Sequence, residues 1–292
     1  PRKIKLDLRD LGFREDDLVI IEEQIARPNG LILNTGPTGS GKTTTLYAFL
    51  QKIYNPEIKI ITIEDPIEYH LEGITQTQVN LTRDYTFASG LRSILRQDPD
   101  VILIGEIRDN ETAEIAMNAA LTGHIVFSTL HTNDACGAIP RLLDMKVQSA
   151  ILAPALNLII AQRLLRKLCV HCKEEVEATP EQSEKIKSMM AKMPERVKKP
   201  NLGNKITFYK SKGCNECNGT GYKGRVAVAE LLVVDRDIQD LISRDDKIPN
   251  ANEIKDLALK KGMTTMEDDA VLKILTGITS LSEAENVIGK IF

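Results

Sequence analysis

Ten residues at positions 36–45, GPTGSGKTTT, constrain this chain more than any other stretch. The glycines Gly36, Gly39 and Gly41 let a backbone turn tightly enough to aim consecutive N–H groups at one anion. Upstream lies a short branched run, Leu31, Ile32 and Leu33, of the kind that forms a buried strand. Downstream, Leu46, Phe49, Leu50 and Ile53 recur at i, i+3, i+4 and i+7, the period of a helix. Strand, glycine-rich loop and helix in that order make a phosphate-binding loop, with the phosphate at the positive end of the helix. Its expected contacts are Gly36, Pro37, Thr38, Gly39, Ser40, Gly41, Lys42, Thr43 and Thr44. Lys42 is placed to reach the β- and γ-phosphates of a nucleotide, and the Thr43 hydroxyl to hold Mg²⁺.

The same alternation continues along the chain. Apolar, β-branched runs at 58–63, 101–104 and 124–129 read as strands, and a short alternating segment at 74–79 as another. Helical periodicity marks 14–27, 86–97, 111–121, 133–144 and 149–163, the last expected to kink at Pro154, and Asn110 is placed to cap the third of these. Strands alternating with helices at this spacing predict an α/β fold with a parallel sheet covered on both faces. Ligands of such sheets bind at the carboxyl ends of the strands. There the sequence puts Glu64, Asp65 and Glu68 after one strand, Glu106 after the next and His131 after a third. Phosphoryl transfer needs one carboxylate for Mg²⁺ and one to orient the attacking water; Glu106 suits the first role and Glu64 the second. His131 reads either as a γ-phosphate sensor or as a hydrogen-bonded loop histidine, and Asp65 and Glu68 either as site residues or as loop anchors.

Past residue 165 the composition changes. Cys169 and Cys172 form one CxxC pair and Cys214 and Cys217 a second, about 40 residues on, in a stretch rich in Lys, Glu and Met. Two such pairs predict a closed structural Zn²⁺ site with four sulfur ligands, with His171 left outside the shell. Cys136, unpaired, reads as a small apolar side chain. After a strand expected at 225–234 the tail reads as helices at 238–243, 251–261, 266–276 and 282–288. Capping boxes are expected at 264–267 and 280–283, and helix-ending glycines at Gly262 and Gly277.

A chain of 292 residues, 42% of them hydrophobic, can bury one large core or two smaller ones. The net charge of −3 and the 4% aromatic content argue against a nucleic-acid binder, which would carry a basic face or stacking platforms. No apolar run is long enough to span a membrane and no signal peptide opens the sequence, so the cytoplasm is the expected compartment.

Four segments in order carry a family resemblance: GPTGSGKTTT at 36–45, TIEDPIE at 62–68, LIGEIRD at 103–109 and TGHIVFSTLHTND at 122–134. They resemble the Walker A, Asp box, Walker B and His box of the secretion ATPases that serve type II secretion and type IV pilus assembly, the GspE/PilB class. The likeness runs through the CxxC pairs to the C-terminus. It implies a RecA-like P-loop ATPase core using ATP and Mg²⁺, a tetracysteine zinc subdomain and a C-terminal helical subdomain. It also implies a homohexameric ring at the cytoplasmic face of the inner membrane, peripheral membrane association, and partners among the platform and assembly proteins of the machine. Lys42, Glu64, Glu106 and His131 become the expected catalytic residues. The tetracysteine pattern is that of assembly and export members; retraction ATPases generally lack it.

The expected division is 1–14 as a linker or the end of a preceding N-terminal domain, 15–165 as ATPase core, 166–224 as zinc subdomain, and 225–292 as a returning strand with the helical subdomain. The resemblance also implies that arginines from that preceding domain help complete the site. Arg83, Arg92, Arg96, Arg108 and Arg141 are the candidates within this sequence. Competing readings are a competence pseudopilus or archaellum-like assembly ATPase, which shares every motif, a zinc-containing nucleic-acid remodelling ATPase, and a P-loop kinase acting on a small acceptor.

Overall fold

The computed structural model describes residues 7–203, 205–244 and 247–292. Of the segment expected to be a linker or domain end, residues 1–6 lie outside the described residues, and Leu8 belongs to a 3₁₀ turn at Leu8–Leu11. Helix α1 (Glu15–Ile25) then leads into strand β1 (Gly30–Thr35), the phosphate loop and helix α2 (Lys42–Ile53). Next come β2 (Ile60–Glu64), β3 (Thr75–Gln78), α3 (Phe87–Leu95), β4 (Val101–Ile104), α4 (Asn110–Leu121) and β5 (Ile125–Leu130). Helices α5 (Ala138–Asp144) and α6 (Ser149–Ala155) precede a long strand, β6 (Leu156–Leu168).

One seven-stranded sheet organises these elements, in the order β3-β2-β4-β5-β1-β6 and finally β9 (Tyr222–Val233). Every pairing is parallel except β6 with β9. The central strands are apolar on both faces because both are covered. In β1, Leu31 and Leu33 enter one apolar cluster with α3, α4 and α6, while Ile32 enters another with α1 and α2. The strand's period of two thus divides one short run between two cores.

Three expectations fail here. Residues 149–163 are not one kinked helix: α6 stops at Ala155, and 156–168 is the sixth strand, seated between β1 and β9. Its first seven residues are buried in succession, so they carry neither helical nor strand periodicity, and only the open edge of β1 decides between the two. The helix expected from residue 133 starts at Ala138, because Asp134 folds the preceding turn by accepting a hydrogen bond from the Gly137 N–H at 2.6 Å. On α4 the cap is Asp109, not Asn110; its carboxylate accepts from the Thr112 N–H.

Between the cysteine pairs, β7 (Glu174–Glu177) and β8 (Thr207–Lys210) form an antiparallel hairpin around α7 (Pro180–Lys192). Ile186, Met190, Ile206 and Phe208 from this region join the same apolar cluster as the helices that close the chain. Those helices are α8 (Arg236–Ile242), α9 (Ala251–Lys260), α10 (Met266–Leu275) and α11 (Leu281–Ile288). The first expected capping box falls one residue later, on Thr265 and Asp268, because the Thr264 hydroxyl accepts from Arg14 instead. In the second, Ser280 caps α11 but Glu283 does not reach back. Its carboxylate takes Arg166, at 2.6 and 2.8 Å, and fastens α11 to β6.

Candidate active site

The phosphate loop has its shape from glycines that nothing else could replace. Gly36 (φ 149°) and Gly41 (φ 89°) lie in the left-handed region, and a Cβ on either would come within 3 Å of Gln162. Gly41 is also the N-cap of α2 and supplies no side chain, so the first-turn N–H groups are not taken by a cap. Lys42 donates to the carbonyls of Gly36 and Pro37, at 2.8 and 3.0 Å, which holds its ammonium over the loop. Burial lowers its pKa, with Arg163 acting in the same direction and Glu106 opposing.

A cleft of about 560 Å³ opens above this loop. Lys42, Thr43, Glu64, Glu106 and His131, from three separate strand ends and the loop, all line it. Of the other expected contacts, Thr38, Gly39, Ser40, Gly41 and Thr44 also line it, while Gly36 and Pro37 contribute the carbonyls that hold Lys42.

Glu64 ends β2 and is buried, only 3% exposed. Three donors fix its carboxylate: the Tyr47 hydroxyl, the Thr62 hydroxyl at 2.5 Å and the Gln76 amide at 3.1 Å. Tyr47 is itself braced edge-on by Tyr69, their ring centroids 4.7 Å apart, and Tyr69 reaches the cleft. Burial, then the bond to Glu64, pushes the Tyr47 phenol far above its ordinary value, so it stays a donor.

Glu106 sits beyond β4 with one oxygen 2.5 Å from Arg108 and the other 3.6 Å from His131 Nε2. Asp65 is 3.8 Å from the same arginine. Arg108 is 59% exposed, so its pair with Glu106 is worth at most about 1 kcal/mol and leaves that carboxylate available to a divalent cation. His131 follows β5, whose end is tied to β4 by the Ser128 and Thr129 hydroxyls donating to the carbonyls of Ile104 and Gly105. The remaining histidines play no part in the cleft: His124 bonds the Ala119 carbonyl at the end of α4, and His70 and His171 do not line it.

Of the five candidate arginines only Arg108 lines the cleft; Arg92 pairs with Glu111 on the surface and Arg96 bonds Ser93. Sequence reasoning missed Leu164 and Arg225, which line the cleft from β6 and β9. Residues 163–168, Arg-Leu-Leu-Arg-Lys-Leu, do not alternate and gave no signal for Leu164; β9 itself was legible, but its neighbour was not.

Away from the cleft, Cys169, Cys172, Cys214 and Cys217 bring their sulfurs within 4.8 Å of one another. Sulfurs on a tetrahedral zinc, with Zn–S of about 2.3 Å, stand ~3.8 Å apart. The cysteine sulfurs lie 3.8 Å (Cys169 to Cys214), 3.8 Å (Cys172 to Cys217) and 3.7 Å (Cys214 to Cys217) apart, so the group fits. Burial alone would raise the Cys217 thiol, but the N–H groups of Cys214 and Gly221 outweigh it and bring it down to about 6.

A P-loop at the head of a parallel sheet, with two carboxylates facing it from neighbouring strand ends, defines a P-loop nucleoside-triphosphatase domain. Residues 1–286 match the profile of the family described as "Type II/IV secretion system protein", and the chain belongs to that family. It is 47% identical over 277 residues to the type IV pilus assembly ATPase PilB of Thermus thermophilus, covering 95% of this chain and 30% of that protein. To type II secretion system protein E of Pseudomonas aeruginosa it is 46% identical over 283 residues, covering 97% of this chain and 53% of that protein. The chain therefore spans about a third to a half of the length of these relatives. Among solved structures, the pilus retraction motor PilT with bound ADP superposes with a TM-score of 0.66 at 32% identity, covering 98% of this chain and 67% of PilT. Among the described residues no helix is long and apolar enough to cross a membrane.

Proposed function

We propose that this chain is the ATP-hydrolysing part of a motor for type IV pilus assembly or type II secretion, acting as a homohexameric ring at the cytoplasmic face of the inner membrane. One observation supports it most: Lys42, Thr43, Glu64, Glu106 and His131 converge on a single cleft although they are scattered over ninety residues of sequence. In this reading the loop amides and Lys42 bind the β- and γ-phosphates of ATP. The Thr43 hydroxyl and Glu106 are oxygen donors of the kind Mg²⁺ requires, and the ion, when bound, neutralises charge developing on the phosphates. Glu64, held by Tyr47, Thr62 and Gln76, orients the attacking water, and His131 beside Glu106 senses the γ-phosphate. Positioning and charge, not covalent chemistry, govern such a transfer.

The four cysteines hold one zinc per chain and stabilise residues 166–224 as a closed structural site. The platform and assembly proteins of the machine are its partners; nucleic acid is not. The test is phosphate release with Mg²⁺ and ATP over a range of chain concentrations, followed with light scattering. The reading predicts free phosphate and a specific activity that rises as rings assemble. Phosphate appearing on an acceptor, or hydrolysis stimulated by DNA, would favour the kinase or the remodelling reading instead.

A further inference from the structure

The phosphate loop is braced from behind by Gln162, a residue of β6 that no motif marks. Its side chain is 2% exposed and touches all three parts of the strand, loop and helix unit. The Gln162 Oε1 accepts from Asn34 Nδ2 at the end of β1, at 3.1 Å, and from the Thr45 hydroxyl in the first turn of α2, at 2.8 Å. Its Nε2 donates to the Ser40 carbonyl within the loop, at 3.0 Å. The contacts also account for two of the glycines. A Cβ on Gly36 would lie 2.6 Å from the main-chain carbonyl oxygen of Gln162, and one on Gly41 would lie 2.8 Å from its side-chain Nε2. The loop is moulded onto the backbone and side chain of this one residue.

We propose that Gln162 is a positioning residue that sets the curvature of the phosphate loop, so that the N–H groups of residues 39–43 converge before nucleotide arrives. The inference rests on the reading of this loop as a nucleotide site. An amide suits the task because it offers an acceptor with two lone pairs on one side and a donor on the other. The loop carbonyl of Ser40 and the hydroxyl of Thr45 face opposite ends of it, and neither a carboxylate nor an apolar side chain satisfies both. Binding energy otherwise spent on ordering the loop becomes available to the phosphates. The contribution therefore falls on affinity, for ADP as much as for ATP, and not on the transfer step.

The test compares wild type, Gln162→Leu, Gln162→Glu and Thr45→Val by titration with a fluorescent ADP analogue, by turnover at saturating ATP and by hydrogen exchange of residues 39–43. Gln162→Leu is expected to weaken ADP about tenfold, the equivalent of ~1.4 kcal/mol. Turnover at saturation stays within about threefold, because the groups acting on the transition state are untouched. Gln162→Glu, which sets a charge against the Ser40 carbonyl beside the phosphate site, weakens ADP more than Gln162→Leu does. Thr45→Val, nearly isosteric, weakens it less, and serves where the Gln162 variants fold poorly. Residues 39–43 exchange faster in every variant. Equal ADP affinity in folded Gln162→Leu or Thr45→Val, or a lowered melting temperature as the sole change, would overturn the inference. A wild-type chain that fails to bind ADP would instead overturn the nucleotide reading beneath it.

Discussion

At the scale of single residues, the proposed function gives distinguishable roles to side chains that share one cleft. In the proposed function Lys42 and the loop bind phosphate, so Lys42→Ala is expected to weaken ATP binding and to lower turnover by about 10²–10³-fold, the loss typical of a fixed donor to developing charge. Titration with ATP and a steady-state phosphate assay check both. Glu106→Gln keeps most nucleotide affinity while losing turnover and Mg²⁺ dependence, read by repeating the assay across a Mg²⁺ series. The residues singled out in the sequence lie at strand ends or inside the glycine loop, and the fold brings them to one cleft; position left the role of His131 open, and the family resemblance supplied it. Gln162, Leu164 and Arg225 were not legible there, since their access to the loop exists only once β6 is paired with β1 and β9 with β6. Tyr47 was hidden for a related reason: its place on α2 reads as ordinary core, and its hydroxyl acquires meaning from Glu64 on another element.

Among elements, most boundaries followed from periodicity and punctuation, and the exceptions have physical causes. The strand at Leu156–Leu168 is buried too continuously at its start to show a period, and the hairpin and helix between the cysteine pairs are polar and mixed enough to show none. In the proposed function the cysteines hold that region together through zinc. Removing zinc with a chelator, or replacing Cys217 by Ser, is expected to lower the melting temperature and open residues 166–224 to protease while leaving nucleotide affinity intact. Elemental analysis should give one zinc per chain.

A second junction joins α1 to α10. Arg14 bonds Asp16, Asp17 and Thr264 and lies 3.4 Å from Asp269, which in turn holds Lys273, while Arg196 reaches Asp16 and Asp17. Burial raises Asp17 to about 7 against the pull of Arg14. An acid whose pKa rises on folding binds more protons folded than unfolded, so its contribution is present below about pH 4 and is lost as pH climbs toward 7. Asp17→Asn should therefore gain on wild type in urea unfolding between pH 5 and pH 8; a difference that does not change with pH would contradict this.

For the molecule as a whole, one sheet carries the account. Six parallel strands deliver the phosphate loop, Glu64, Glu106 and His131 to a common edge, and the antiparallel seventh ties that edge to the cysteine region and the closing helices. Glu230 makes the connection concrete: buried on β9, it accepts from the Ala135 N–H just past His131 and from the Met266 N–H at the start of α10. The α/β class and the parallel sheet could be read from alternating patterns, whereas the joining of 166–292 to the same core could not, because it depends on contacts far apart in sequence. The central claim is that this edge hydrolyses ATP with Glu64 orienting the water. The measurement that tests it most directly is ATP affinity and phosphate release for Glu64→Gln beside wild type, at one chain concentration and with Mg²⁺ present. The account predicts affinity within about threefold of wild type and turnover at least about 10²-fold lower, since the carboxylate acts in the transition state more than in the ground state. Turnover retained by a folded Glu64→Gln chain, or ATP binding lost along with it, would contradict the assignment.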